Sequence, residues 1–207
     1  MKILHVVAEG LFPSLCAACG RSCRPGAAVC TRCARRLAAA DPLGGAGPPG
    51  LDRVWSSAPY EEVARDLVAA LKFRRLLPVA GLMADRILWL APAQLLSGTI
   101  VPVPTARLRS CSRGFDPAAE VSTALADRTS LPLQPCLVRQ GGGRQVGRRR
   151  AQRIGHPPLV RTKGQVPRSV LLIDDVLTTG ATLSSCARAL RSAGSVRIVA
   201  ITFARRS

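Results

Sequence analysis

Hydrophobic positions along the chain follow two rhythms. Within 61–73 they fall at Val63, Ala64, Leu67, Val68 and Leu71, one face of a helix, and the pattern repeats after Pro78 at Val79, Leu82, Met83, Ile87 and Leu90. Another helix is expected through Val121 and Leu125. Asp116 is its N-cap and Pro117 its first residue, where the missing N–H costs nothing. The second rhythm is a run rather than a period. Residues 54–60 can form a strand, 99–103 is a short apolar run bounded by prolines, and 169–173 is unbroken valine, leucine and isoleucine after Ser169. Such unbroken runs mark strands buried on both faces. A helix over about 181–192, ended by Gly194, and a last buried strand over 196–203 complete the pattern. Strands alternating with helices from residue 54 onward predict an α/β fold, a mostly parallel sheet flanked by helices.

The first fifty residues break this pattern. Residues 1–15 read as a short amphipathic segment broken at Pro13, followed by a cysteine-rich stretch over 16–33 and a short helical tail through Arg35, Leu37 and Ala40. Residues 41–50 read DPLGGAGPPG, a composition expected to support neither helix nor strand. The boundary is placed there: a module over 1–40, a linker over 41–50 and the α/β domain over 51–207. The glycines of the linker also match the spacing of a dinucleotide-binding turn. That match is rejected, because two prolines remove amide donors and no strand precedes it.

Composition narrows the partners. With 47% hydrophobic residues in 207, a real core is assured, while 3% aromatics argue against a platform for stacking bases. The net charge is +18, and arginine supplies all but three of the thirty cations, the lysines being Lys2, Lys72 and Lys163. Two readings of that charge stand: phosphate-bearing partners, or a compositional bias toward arginine. The start of the chain does not read as an export signal, since Glu9 interrupts a short apolar run, and no stretch has the length of a membrane span. A cytoplasmic, thiol-reducing setting is therefore expected, and there clustered cysteines read as metal ligands.

The segment 170–182, VLLIDDVLTTGAT, carries the most chemistry. An apolar strand delivers Asp174 and Asp175 at its carboxyl end, where ligands bind in open α/β sheets. A threonine-rich turn with one glycine follows and opens directly into a helix. Backbone N–H groups of such a turn converge on one spot, and the helix dipole favours an anion there. Thr178, Thr179 and Thr182 add hydroxyl donors, and Gly180 permits close backbone approach. Two carboxylates beside a bare phosphate would repel it. They suit sugar hydroxyls, or a Mg²⁺ carried by the ligand. A sugar phosphate is the expected occupant.

Cys16-x2-Cys19-x10-Cys30-x2-Cys33 is a pair of knuckles, each supplying two thiolates from one turn, as a tetrahedral structural Zn²⁺ site requires. Cys23 is a spare that could replace one ligand or stay free. Arginines cluster in two places. Arg107, Arg109 and Arg113 follow the strand at 99–103, at a sheet edge where a pyrophosphate could sit, with Arg113 preferred. The stretch 139–153 holds six arginines without hydrophobic period and reads as a mobile loop. It can be a lid over the ligand, a grip on nucleic acid, or a solvated arm.

The segment 170–182 closely resembles the PRPP (5-phosphoribosyl 1-pyrophosphate) motif of type I phosphoribosyltransferases. That resemblance implies that Asp174 and Asp175 hold the ribose 2′- and 3′-hydroxyls. It further implies that Val176, Leu177, Thr178, Thr179, Gly180, Ala181 and Thr182 wrap the 5′-phosphate, and that Mg²⁺ accompanies the pyrophosphate. The implied reaction displaces pyrophosphate from C1 by an amine or base nitrogen, a glycosyl transfer achieved by positioning and charge stabilisation. Thr178 stands where purine-salvage members carry an acidic base, which points away from a purine acceptor. In order, Leu11-Phe12-Pro13, the two knuckles, Leu71-Lys72-Phe73, Val101-Pro-Val-Pro104, Arg113-Gly114-Phe115 and the PRPP motif resemble the ComF/GntX family over nearly the whole chain. The resemblance implies a type I phosphoribosyltransferase-like domain behind a small zinc module and a place in competence and the import of single-stranded DNA. A further reading makes the zinc module a docking platform for a helicase-like partner, through which alone DNA is contacted. Three positions depart from the family pattern: Asp116-Pro117 replaces Asn-Gln, His156 replaces an asparagine after Gln145 and Arg153, and 139–153 is richer in arginine.

Overall fold

The computed structural model describes residues 14–105, 114–140 and 158–206. Its centre is a five-stranded sheet built from β3 (Leu43–Gly45), β4 (Arg53–Pro59), β5 (Thr99–Pro102), β8 (Ser169–Leu177) and β9 (Arg197–Arg205), in the order β3-β4-β9-β8-β5. Every pairing is parallel except that of β3 with β4. Two small hairpins flank it: β1 (Ser14–Leu15) with β2 (Ser22–Cys23), and β6 (Leu137–Arg139) with β7 (Val160–Thr162). Among the described residues the helices are α1 (Thr31–Ala38), α2 (Glu62–Arg74), α3 (Pro78–Leu90), α4 (Pro117–Thr129) and α5 (Ala181–Ser192). The mostly parallel α/β architecture expected from the sequence is the one observed.

Strand alternation sorts the core into two layers. Leu171 and Ile173 of β8 join Val199, Ile201 and Phe203 of β9 in one cluster, packed against Leu67 and Leu71 of α2, Met83 and Ile87 of α3, and Val121 and Leu125 of α4. Val170 and Leu172 point the other way, with Ile198 and Ala200, onto Leu183, Cys186, Ala187 and Leu190 of α5. Both faces of β8 and β9 are thus covered, as their unbroken apolar runs require. At the N-terminal end, Cys16, Ala17, Cys33 and Leu37 belong to the first of these clusters.

Local signals are met where chemistry dictates them. Asp116 caps α4 by accepting from the Ala118 N–H at 3.1 Å, and it also accepts from the Thr105 N–H (3.0 Å) and hydroxyl (2.9 Å). Pro117 fills the first position of α4 and Pro78 that of α3. Gly194, with φ +103°, closes α5 as its N–H reaches the Arg191 carbonyl and the Ser195 N–H reaches Leu190.

Two expectations are corrected. The stretch 41–50 was expected to hold no strand, yet Leu43–Gly45 forms β3. An edge strand needs a ladder on one side only, and the indole edge of Trp55 packs over Gly44, where a Cβ would come within 3.3 Å of it. The strand expected over 169–173 continues to Leu177, because β9 keeps pairing with it through Asp174↔Thr202, Val176↔Ala204 and Leu177↔Arg205.

Candidate functional site

The carboxyl end of β8 leads into Thr178 and Thr179, both exposed, then Gly180, then α5. Gly180 is the N-cap with φ +76°. A Cβ there would lie 2.5 Å from Cγ of Pro48, so conformation and packing each demand glycine. Below the turn, the Ser184 N–H donates to the Gly180 carbonyl and the Ser185 hydroxyl to Ala181, starting the helix cleanly. The first turn of α5 carries no acidic residue and no side-chain cap. The Ala181 N–H donates to the Thr179 hydroxyl at 3.4 Å, and the remaining first-turn N–H groups with the two exposed threonines form an anion-accepting end. Val176 and Leu177 lie inside the strand, with side chains packed into the two cores, and Cδ1 of Leu177 reaches beneath Gly180 of this turn.

Adjacent residues on a strand face opposite ways. Asp175 turns toward α2, where its Oδ2 pairs with Nζ of Lys72, and the aspartate is 5% exposed. Asp174 is partly buried, and its charge lies close enough to Cys186 of α5 to push that buried thiol further up. Burial and the charge of Asp175 together raise the Asp174 carboxyl well above the usual carboxylate range. The Asp175 N–H donates to Asp174 Oδ1 at 2.9 Å, which ties the pair together. Beside them, the hydroxyls of Ser56 and Thr202 bond across β4 and β9 at 2.7 Å.

The second constellation is the cysteine set. The Sγ atoms of Cys16, Cys19, Cys30 and Cys33 all lie within 4.8 Å of one another. Tetrahedral Zn–S bonds of about 2.3 Å place sulfurs roughly 3.8 Å apart, so this donor set fits a structural zinc. One backbone bond of the same kind closes each knuckle: the Gly20 N–H donates to the Cys16 carbonyl, and the Ala34 N–H to the Cys30 carbonyl. Burial works against ionising Cys16, but nearby backbone amides of Cys19, Cys30 and Ala18 outweigh it and bring its thiol down to about 6. Burial and the neighbouring thiols push Cys33 up. Cys23 stands outside the set, its Sγ near the carbonyls of Ser14 (3.1 Å) and Ala27 (3.2 Å).

Arg107, Arg109 and Arg113 lie outside the described residues, as do positions 141–153 of the arginine-rich stretch and His156. Sequence reasoning did not anticipate that Lys72 pairs with Asp175. The signal was present: it stands four residues after Val68, where the helical stripe would call for another apolar residue.

Sheet, strand–turn–helix and paired aspartates define an α/β protein with an anion-accepting turn at the carboxyl end of a central parallel strand. No protein-family model matches the chain. It is 26% identical over 215 residues to competence protein F of Haemophilus influenzae, covering 92% of this chain and 88% of that protein. It is 32% identical over 97 residues to competence protein ComFC of Bacillus subtilis, covering 46% of this chain and 39% of that one. Among solved structures it is similar to orotate phosphoribosyltransferase from Aeropyrum pernix, with TM-score 0.40 and 24% identity over 62% of this chain and 63% of that one. The resemblance to the ComF/GntX family is thus shown along nearly the whole chain. Among the described residues no helix is long and apolar enough to cross a membrane.

Proposed function

We propose that this protein binds PRPP with Mg²⁺ at the carboxyl end of β8, in a cytoplasmic role in DNA uptake. The observation that carries the reading is one geometry: two linked aspartates on β8 ending in a turn whose glycine is held at φ +76° over an uncapped helix start. The 5′-phosphate takes the N–H groups and hydroxyls of the turn 178–182, and Asp174 and Asp175 take the ribose hydroxyls. Mg²⁺ would neutralise the pyrophosphate, and Arg113 is the candidate for its far end. Turnover, where it occurs, is transfer of the phosphoribosyl group to an acceptor with release of pyrophosphate. The names of the two competence proteins support the place in DNA uptake. The module 1–40, with Zn²⁺ on Cys16, Cys19, Cys30 and Cys33, acts in this reading as a structural unit and a docking platform for a helicase-like partner.

A second reading keeps binding and drops catalysis. Thr178, exposed at the turn, offers no carboxylate to serve as a base, so the site would sense PRPP or a nucleotide while basic surfaces engage single-stranded DNA. Calorimetric titration of Mg²⁺·PRPP into the zinc-loaded protein tests the core of both readings. Saturable binding in the wild type, abolished in Asp174→Asn/Asp175→Asn, is the expected result; no binding to the folded wild type would sink both. Pyrophosphate release with candidate acceptors then separates the readings. A single-stranded DNA affinity that falls steeply with salt checks the nucleic-acid arm.

A further inference from the structure

The ion pairs of the described residues fall into two kinds. Four use arginine and join side chains that are both substantially exposed: Arg36–Glu62, Arg65–Asp66, Arg128–Asp85 and Arg191–Asp52. The fifth, Lys72–Asp175, joins side chains 24% and 7% exposed and uses lysine in a chain whose cations are nearly all arginine. Surface pairs of the first kind contribute little. A buried carboxylate stripped of its counter-charge is costly, and here a second carboxylate lies one residue away.

Among the described residues no hydroxyl or amide donates to Asp175 Oδ2, which leaves the Lys72 ammonium as its partner. We propose that Lys72 is a positioning residue of the sugar site, its ammonium aiming the Asp175 carboxylate and balancing its charge so that it can accept a ribose hydroxyl. The inference rests on the PRPP reading and deepens it. α2 brings Lys72 there by its own packing, since Leu67, Val68 and Leu71 are fully buried in the core beneath the same face of the sheet. The chemistry suits lysine in particular. An ammonium is a compact point charge with three donors, so it can hold Asp175 with one N–H and keep others for a second oxygen. The same charge also offsets part of the repulsion within the aspartate pair, for it pulls the Asp174 carboxyl down against the burial that raises it.

The test compares ligands that do and do not carry the sugar. Lys72→Met, Lys72→Arg, Asp175→Asn and the double variant Lys72→Met/Asp175→Asn are titrated with Mg²⁺·PRPP and, separately, with inorganic phosphate. The expected result is a loss of about tenfold or more in PRPP affinity for Lys72→Met. Phosphate affinity should stay within about twofold of wild type. Lys72→Arg should recover only part of the loss, since it restores the charge but not the compact ammonium, and in the Asp175→Asn background the lysine change should cost nothing further. The double variant replaces the ion pair by two neutral groups, so it remains informative if Lys72→Met folds poorly. Equal losses for PRPP and phosphate, or the same cost with Asp175 already neutral, would overturn the proposal. Wild-type PRPP binding with an unaffected Lys72→Met sinks this inference alone, whereas a wild type that binds no PRPP removes the function it rests on.

Discussion

The four-cysteine module and the turn at 178–180 are both small, irregular and rich in chemistry, yet they are held in different ways. In the module, short hairpin β1–β2 and the eight-residue α1 supply few buried side chains, and the thiols converge through knuckle backbone bonds. At the turn, a nine-residue strand buried on both faces and a twelve-residue helix deliver the backbone ready-made. A ligand set that is its own core needs its metal to fold, whereas a backbone cradle standing on a core needs none. The lesson is that ligand removal should unmake one region and merely empty the other.

The sharpest way to break that contrast is chelation. Zinc removal, or Cys16→Ser, should unfold the module, because a structural four-thiolate site is worth roughly 10 kcal/mol of apparent binding free energy. Metal analysis should give one zinc per chain, and hydrogen exchange should show β1–β2 and α1 losing protection while β8 and β9 keep theirs. Uniform loss across the sheet would erase the distinction, and the shared burial of Cys16, Ala17, Cys33 and Leu37 with the main core is where such loss would enter.

Next in size is Gly180→Ala. The substitution places a Cβ against Pro48 at a positive φ and should cost about 2–3 kcal/mol, with PRPP affinity falling with it. Chemical denaturation and calorimetry report the two effects. A variant of wild-type stability and affinity would show that the turn tolerates rearrangement.

The smallest effect concerns pH. The folded-state Asp174 carboxyl is raised, first by burial and then by Asp175, so the folded protein binds that proton more tightly than the unfolded chain. Its contribution favours folding in full below the ordinary carboxylate range and is lost as pH rises through the raised value. Asp174→Asn should therefore gain stability relative to wild type as pH rises from 5 to 8 (about the span over which buffers allow denaturation curves). A gap that stays constant would place the Asp174 charge in a better-solvated setting.

The same contrast explains what the sequence made legible. Core-bound elements announce themselves through period: the stripe in α2, the unbroken runs in β8 and β9, and the Asp116–Pro117 start of α4 are all where chemistry puts them. Elements decided by neighbours do not. β3 exists because β4 offers an open edge and Trp55 a lid for Gly44, neither of which residues 41–50 reveal by themselves. Asp174 and Asp175 look like the end of a strand, but β9 continues to pair past them. The four thiols were readable because knuckle spacing constrains them locally, and Cys23 was not, since only its carbonyl neighbours show that it turns away. Lys72 was visible as an interruption of a stripe, and its meaning came only with the strand 103 residues away.

Helix α2 joins these two regions. Glu62 at its start pairs with Arg36 of α1 at 2.7 Å, Arg74 at its end donates to the carbonyl of Ala17 between the first two cysteines, and Lys72 reaches Asp175. Its thirteen residues therefore act as a ruler, with attachment points fixed in both length and angle. One inserted residue would turn everything beyond it by about 100° and advance it by about 1.5 Å. Lys72 would then face away from Asp175, and Arg74 away from the knuckle. The spacing from Glu62 to Arg74 therefore cannot change by a single residue, and the two regions must be transplanted or redesigned together with the helix between them.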